Sequence, residues 1–153
     1  VVVDSYVRSY TPSLFLAIKE EGIRTRTGLR LFLRSAAALL AVAVAAGGLI
    51  WVTFGYIFPQ EYDSGRILVP FFIAGFFFFA IYKLIFPFII SLNLQNRLVA
   101  ALVIIAVFSL TFDYFLLEKW GILVAAVMTL AAYVALALFS VAVFAVGVHR
   151  HEQ

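Results

Sequence analysis

Four long runs of apolar residues, separated by short polar segments, dominate the sequence. One of them, residues 67–90 (ILVPFFIAGFFFFAIYKLIFPFII), contains a single formal charge, Lys83. A helix rises about 1.5 Å per residue, so a run of this length reaches about 36 Å and exceeds the hydrocarbon core of a bilayer, about 30 Å thick. A helix on the surface of a soluble protein carries a polar stripe, and this run has none. The pattern therefore predicts a membrane-spanning helix.

The remaining apolar runs have the same character, and together they predict one membrane domain. The predicted spans are residues 35–58, 67–90, 98–117 and 120–148. Residues 1–34 are polar to amphipathic and are expected to lie on the membrane surface or against a partner, and residues 149–153 form a short tail. The sequence thus predicts an all-α, polytopic integral membrane protein with four transmembrane helices and an amphipathic amino-terminal segment.

The segments between the spans are short and predict tight connections. Residues 59–66 (PQEYDSGR) predict a loop, and Glu118–Lys119 predict the turn before the last span. Pro87 is expected to kink or end the second span, because proline has no backbone N–H and its ring clashes with the preceding turn.

Composition restricts the chemistry that this chain can carry. The chain is 65% hydrophobic and 12% charged, against about 25% charged residues in an average soluble domain. The net charge of +3 does not predict nucleic-acid binding, because the basic residues flank apolar runs. The absence of Cys excludes disulfides and thiolate metal sites, and neither His lies inside a span, which excludes a bis-His haem there. We expect no cofactor.

The distribution of Arg and Lys predicts the orientation. Four spans place both termini on one side, and most basic residues fall on that side: Arg8, Lys19, Arg24, Arg26, Arg30, Arg34, Arg97 and Arg150. Only Arg66 and Lys119 fall on the other. The positive-inside rule then predicts a multi-pass protein of the cell membrane with both termini in the cytoplasm.

A cluster of arginines precedes the first span. It consists of Arg24, Arg26, Arg30 and Arg34. Arg30 and Arg34 are four residues apart and share a helix face, so both can reach phosphate groups. One interpretation is a topology anchor, and the other is a binding site for an anionic lipid or a lipid-linked phosphate.

Two ionisable residues inside the spans are candidate functional groups. Lys83 lies in the cytoplasmic half of its span, where it either extends to the surface or serves a buried partner or pathway. Asp113 lies toward the opposite surface, either in a solvated rim or in a functional position. Because the two charges differ in depth, we do not expect them to pair directly.

Small residues suggest faces for helix packing. Ala37, Ala41 and Ala45 recur every four residues in the first span, and Ala43 with Gly47 forms a second pair. Such stripes allow close approach of helices in lipid. With no catalytic constellation visible, we expect a small non-catalytic subunit that assembles with other membrane proteins, or with itself, and that contacts anionic lipids.

A transport function is the alternative. In size and four-span layout the chain resembles the small GtrA-type flippases of lipid-linked sugars. This resemblance implies an oligomer that moves a lipid-linked or amphipathic substrate. The arginine cluster, Lys83 and the aromatic second span are compatible with that function.

Overall fold

The computed structural model describes residues 26–151 and, before them, residues 5, 7–9, 11, 12 and 16. Four long α-helices form this part of the chain: α1 (Arg26–Ile57), α2 (Val69–Ser91), α3 (Gln95–Trp120) and α4 (Ile122–His151). A 3-10 helix, Gln60–Leu68, precedes α2 directly. All four α-helical regions are long and apolar enough to cross a membrane. The prediction of an all-α protein with four such helices is confirmed to that extent.

The first helix begins at Arg26, nine residues before the predicted start of the first span at residue 35. The intervening residues contain neither Pro nor a second Gly after Gly28, so nothing interrupts the helical backbone before the apolar run. The basic residues Arg30 and Arg34 therefore belong to α1 itself. Most of the predicted amphipathic segment, residues 1–34, lies outside the described residues.

The prediction of a loop at residues 59–66 is wrong. The chain forms a 3-10 helix there, which begins after Pro59. The N–H of Tyr62 donates to the carbonyl oxygen of Pro59 at 2.9 Å, which is the three-residue bond that defines this helix. The connection from α1 to α2 is therefore a hydrogen-bonded segment, and it holds Arg66 in a defined position.

Pro87 does not end α2, which continues to Ser91. Proline cannot donate to the carbonyl four residues earlier, here that of Lys83. Only one turn of α2 follows, so the helix loses a single bond close to its end. The side chain of Pro87 is itself buried in the bundle, where packing holds the last turn in place.

The turn between the last two helices lies at Gly121, two residues beyond the predicted Glu118–Lys119. Gly121 has φ +67°, which a residue without a side chain adopts at little cost. Its N–H donates to the carbonyl of Leu117 at 2.9 Å, and its carbonyl accepts from Val124 at 3.2 Å. A single residue therefore reverses the chain.

The helices pack in the spatial order α1, α2, α4, α3, with α2 and α4 at the centre. In the most apolar window of α2, 44% of the residues are buried, against 11% in both α1 and α3. Gly75 of α2 lies beside Leu130 of α4, and Phe88 lies beside Phe144, with ring centroids 5.2 Å apart. The difference in residue number between the two partners is nearly the same in both pairs, so α2 and α4 run parallel.

The most tightly packed part of the bundle lies at the end where α2 turns into α3, which we call the packed end. Leu84, Ile89 and Leu98 are fully buried there. Leu39 of α1 and Phe88 join Leu84 in one cluster, against which the side chain of Val7 also packs. At the other end of the bundle, which we call the open end, α1 and α3 expose most of their large apolar side chains.

Hydroxyl groups within the helices bond to their own backbone. Thr53, Thr111, Thr129 and Ser140 each donate to the carbonyl four residues earlier, at 2.7–2.8 Å. A polar group in an apolar environment needs such a partner. The hydroxyl groups of these residues are therefore satisfied within their own helices.

The turn that ends α2 is a Schellman motif centred on Asn93. Leu94 N–H donates to Ile89 C=O at 3.1 Å, and Asn93 N–H donates to Ile90 C=O at 2.9 Å. Asn93 has φ 55°, in the left-handed region, and Leu94 packs against the cluster that contains Ile89. This is the full hydrogen-bond and contact pattern of the motif.

Replacing Asn93 with valine is expected to lower the free energy of unfolding by about 1–2 kcal/mol, since a side chain branched at Cβ is strained in the left-handed region. Asn93→Gly is the matched control and is expected to leave stability unchanged or slightly raised. Thermal unfolding in detergent, followed by far-UV circular dichroism, measures both. Equal melting temperatures for the two variants would show that this turn does not limit stability.

Candidate functional site

The face of α1 that points away from α2 is left uncovered by the other described helices. We call it the outer face. It consists of Arg30, Arg34, Ala37, Ala41, Ala45 and Gly48, all of them exposed. At about 100° per residue these positions fall within a sector of about 80°. A methyl group at Gly48 would meet no atom within 4 Å.

The opposite side of α1 contacts α2. Leu39 is buried, and a side chain at Gly47 would lie 3.1 Å from Ile73. Of the two predicted stripes of small residues, the pair Ala43 and Gly47 therefore belongs to the contact within the chain. The stripe with Ala41 at its centre remains open.

The predicted arginine cluster is only partly brought onto the outer face. Arg30 and Arg34 share it, as their spacing predicts, and both are exposed at the packed end of the bundle. Arg26 begins α1, and its side chain is not among those described. Arg24 lies outside the described residues.

Lys83 is partly buried in α2, and its ammonium group lies over the ring of Phe79, 5.4 Å from the ring centroid. Phe79 is one turn toward the amino-terminal end of the helix. The charge is therefore directed along α2 toward the middle of the bundle and away from the packed end. A cation over an aromatic face is attracted by the ring quadrupole, which offsets part of the cost of burial.

Asp113 lies on the side of α3 that faces α4, in line with the partly buried Ile105 and Ser109. Tyr114, the next residue, and Glu118 farther along α3 are both exposed. The atom Oδ1 of Asp113 is buried and has no hydrogen-bond partner among the described residues. One oxygen of the carboxyl group of Asp113 therefore faces the bundle, and the residue as a whole is only partly buried.

The structure adds Arg66, which sequence reasoning assigned only to a loop. The guanidinium carbon of Arg66 lies 4.5 Å from the centre of the Trp51 ring, at the open end of the bundle. Its Nε is buried and has no hydrogen-bond acceptor among the described residues. A sequence signal did exist, because an arginine and a tryptophan lie near the same connection between two helices, but their separation of fifteen residues does not give a distance.

The candidate residues do not form a single site. Lys83 and the two outer-face arginines belong to the packed half, whereas Arg66 and Asp113 belong to the open half, on different helices. Within the described part of the chain, no three His, Asp or Glu side chains are grouped so as to hold a metal ion. The arrangement offers charged and apolar contact surfaces.

Comparisons with protein-family models, with curated proteins and with solved structures found no match.

Proposed function

We propose that this protein is a small, non-catalytic membrane subunit that assembles with and stabilises a larger membrane protein complex. The observation that supports it most directly is the uncovered outer face of α1. Helices in lipid gain no hydrophobic energy by associating, so they depend on close packing, and small side chains permit it. Ala41 and its neighbours provide such a surface on a helix whose contacts with the other described helices lie on its opposite side.

The arginine distribution gives the proposal a direction in the membrane. Both termini lie in the cytoplasm, as the excess of Arg and Lys on the terminal side favours. Arg30 and Arg34 then lie at the depth of anionic headgroups, at the end of the same face. A partner helix that packs on Ala41 would contact the outer face at a level between these arginines and the open end of the bundle.

The first test is extraction from the native membrane in mild detergent, followed by native mass measurement. A complex of this chain with one or more other membrane proteins in fixed ratio is expected. Recovery of the chain without other proteins, from a sample in which other complexes survive, would contradict the proposal.

The second test replaces Ala41 with leucine. Overpacking at a close contact costs about 1–3 kcal/mol, so the partner recovered with the chain is expected to fall about tenfold. Ala46→Leu is the matched control, because Ala46 is exposed on the same helix and points about 140° away from Ala41. Equal recovery with both variants would remove the outer face from the proposal.

A further inference from the structure

Two groups of opposite charge at the open end each contain a buried atom without a hydrogen-bond partner. They are Nε of Arg66 and Oδ1 of Asp113, and no other buried side-chain atom of the described residues lacks a partner. Leaving a charged group unsatisfied is costly, and lipid supplies no water to replace the missing bond. Each residue is only partly buried, so a group from outside the chain can reach the other polar atoms of the same guanidinium and carboxyl groups, which are not among these buried atoms.

Both groups lie in the open half of the bundle, within about two helical turns of each other in depth. A side chain at Gly75 would lie 3.7 Å from the Cα of Leu130, which places these residues level with each other. Gly121 lies at the open end, where α3 turns into α4. Leu130 is nine residues from Gly121 toward the packed end on α4, and Asp113 is eight residues from it toward the packed end on α3. At about 1.5 Å per residue, Asp113 and Gly75 then differ in depth by only about 2 Å.

The same reasoning places the guanidinium of Arg66. Gly47 lies beside Ile73, two residues from Gly75 toward the open end, and Trp51 is one turn farther along α1. The Cα of Trp51 is thus about 9 Å nearer the open end than Gly75. The side chain of Trp51 is directed back toward the start of α1. Arg66 stacks on that ring, so its guanidinium lies within about two helical turns of the depth of Asp113.

Within one chain, however, the two groups lie at opposite edges of the bundle. Arg66 contacts Trp51 at the α1–α2 edge, whereas Asp113 belongs to α3, and α4 lies between α2 and α3. Satisfying both groups within the chain would require α4 to be displaced from the centre of the bundle. Two copies placed edge to edge bring the groups together without any such change.

We propose that the chain associates with a second copy of itself through an ion pair between Arg66 and Asp113 of the partner subunit. The ring of Trp51 holds the guanidinium in place by a cation–π contact and leaves its edge to donate to the carboxylate. Because the two edges differ, the contact is of the head-to-tail kind and is repeated from copy to copy around a closed ring. This inference goes beyond the proposed function, since it concerns self-association and does not use the outer face of α1.

The first experiment measures self-association of the purified chain in lipid bilayers, by energy transfer between two labelled populations. Arg66→Gln and Asp113→Asn are each expected to raise the dissociation constant about 10–100-fold, the value of a charge-assisted hydrogen bond. The dissociation constant of the double variant is expected to be no higher than that of the single variant that associates more weakly, because both changes remove the same ion pair. Lys119→Gln, an exposed cation at the same end, is the control and is expected to change nothing.

The second experiment exchanges the charges. Copies with Arg66→Asp carry an acid at both positions, and copies with Asp113→Arg carry a base at both. Neither population is expected to associate with itself, whereas a mixture of the two is expected to associate as the native chain does. Both neutral variants retain the shape of the side chain, so they decide the question if a reversed charge prevents folding.

Several results would overturn the proposal. They are a monomeric native chain in bilayers, self-association that survives both neutral variants, and an Arg66→Gln effect that appears only in bilayers with anionic lipid. The last result would assign Arg66 to a lipid phosphate. Recovery of other proteins with the extracted chain, and its loss with Ala41→Leu, test the proposed function separately, so failure of one proposal does not imply failure of the other.

Discussion

Replacing Leu84 with alanine is expected to lower the free energy of unfolding by about 2 kcal/mol, at the low end of the range for buried leucine. Leu84 is fully buried and lies between α1 and α2, where it packs with Leu39 and Phe88. In detergent the unfolded helices still surround an apolar side chain with hydrocarbon, so little transfer energy is lost. The loss comes from the cavity and from missing packing contacts.

Unfolding of the detergent-solubilised chain by increasing SDS, followed by the fluorescence of its two tryptophans, measures this effect. Leu138→Ala is the matched control, since Leu138 lies on α4 with 65% of its surface exposed. A change of less than about 0.5 kcal/mol is expected there. Equal effects at the two positions would contradict the packing of α1 and α2 described above.

Replacing Gly75 with leucine is expected to have a still larger effect and to separate α2 from α4. A methyl group at Gly75 would lie 3.2 Å from a ring carbon of Tyr133 and 3.7 Å from the backbone of Leu130. An alanine therefore fits if Tyr133 moves by a few tenths of an ångström. A leucine has no room, because the backbone of α4 cannot yield without displacing the whole helix.

Gly75→Ala, Gly75→Leu and Gly48→Leu form a graded series. Overpacking costs about 1–3 kcal/mol and more where backbone is displaced, so the melting temperature is expected to fall slightly with alanine and steeply with leucine. Gly48 meets no atom within 4 Å, and leucine there is expected to leave the melting temperature of the isolated chain unchanged or slightly raised, because leucine forms helix better than glycine. A tolerated Gly75→Leu would show that α2 and α4 are not in close contact.

The sequence was sufficient for the number and approximate extent of the helices. Long apolar runs must satisfy their backbone groups internally, and the helix is the only way for a single segment to do so. The errors lie at the boundaries. The segment after Pro59 is polar and short, so its 3-10 hydrogen bonds leave no periodic signal, and Pro87 stops a helix only where the surroundings do not hold the next turn.

The candidate residues were predicted unevenly. Spacing alone predicted that Arg30 and Arg34 share a face, because positions four apart are neighbours on any helix. The sequence left two interpretations of Lys83 open, and its position over Phe79 depends on a rotamer as well as on spacing. Arg66 was not singled out, since its contact with Trp51 exists only after α1 and α2 have packed against each other.

The amino-acid sequence by itself determined that this protein has four helices long and apolar enough to cross a membrane, because hydrophobicity and length are local properties. Only the tertiary structure decided which faces are used. The apolar runs are hydrophobic on nearly every side, so their sequence does not say that α2 and α4 occupy the centre or that Ala41 remains uncovered. The tertiary structure likewise decided that Arg66 and Asp113 lie at opposite edges of the bundle, since their separation follows from the order in which the helices pack.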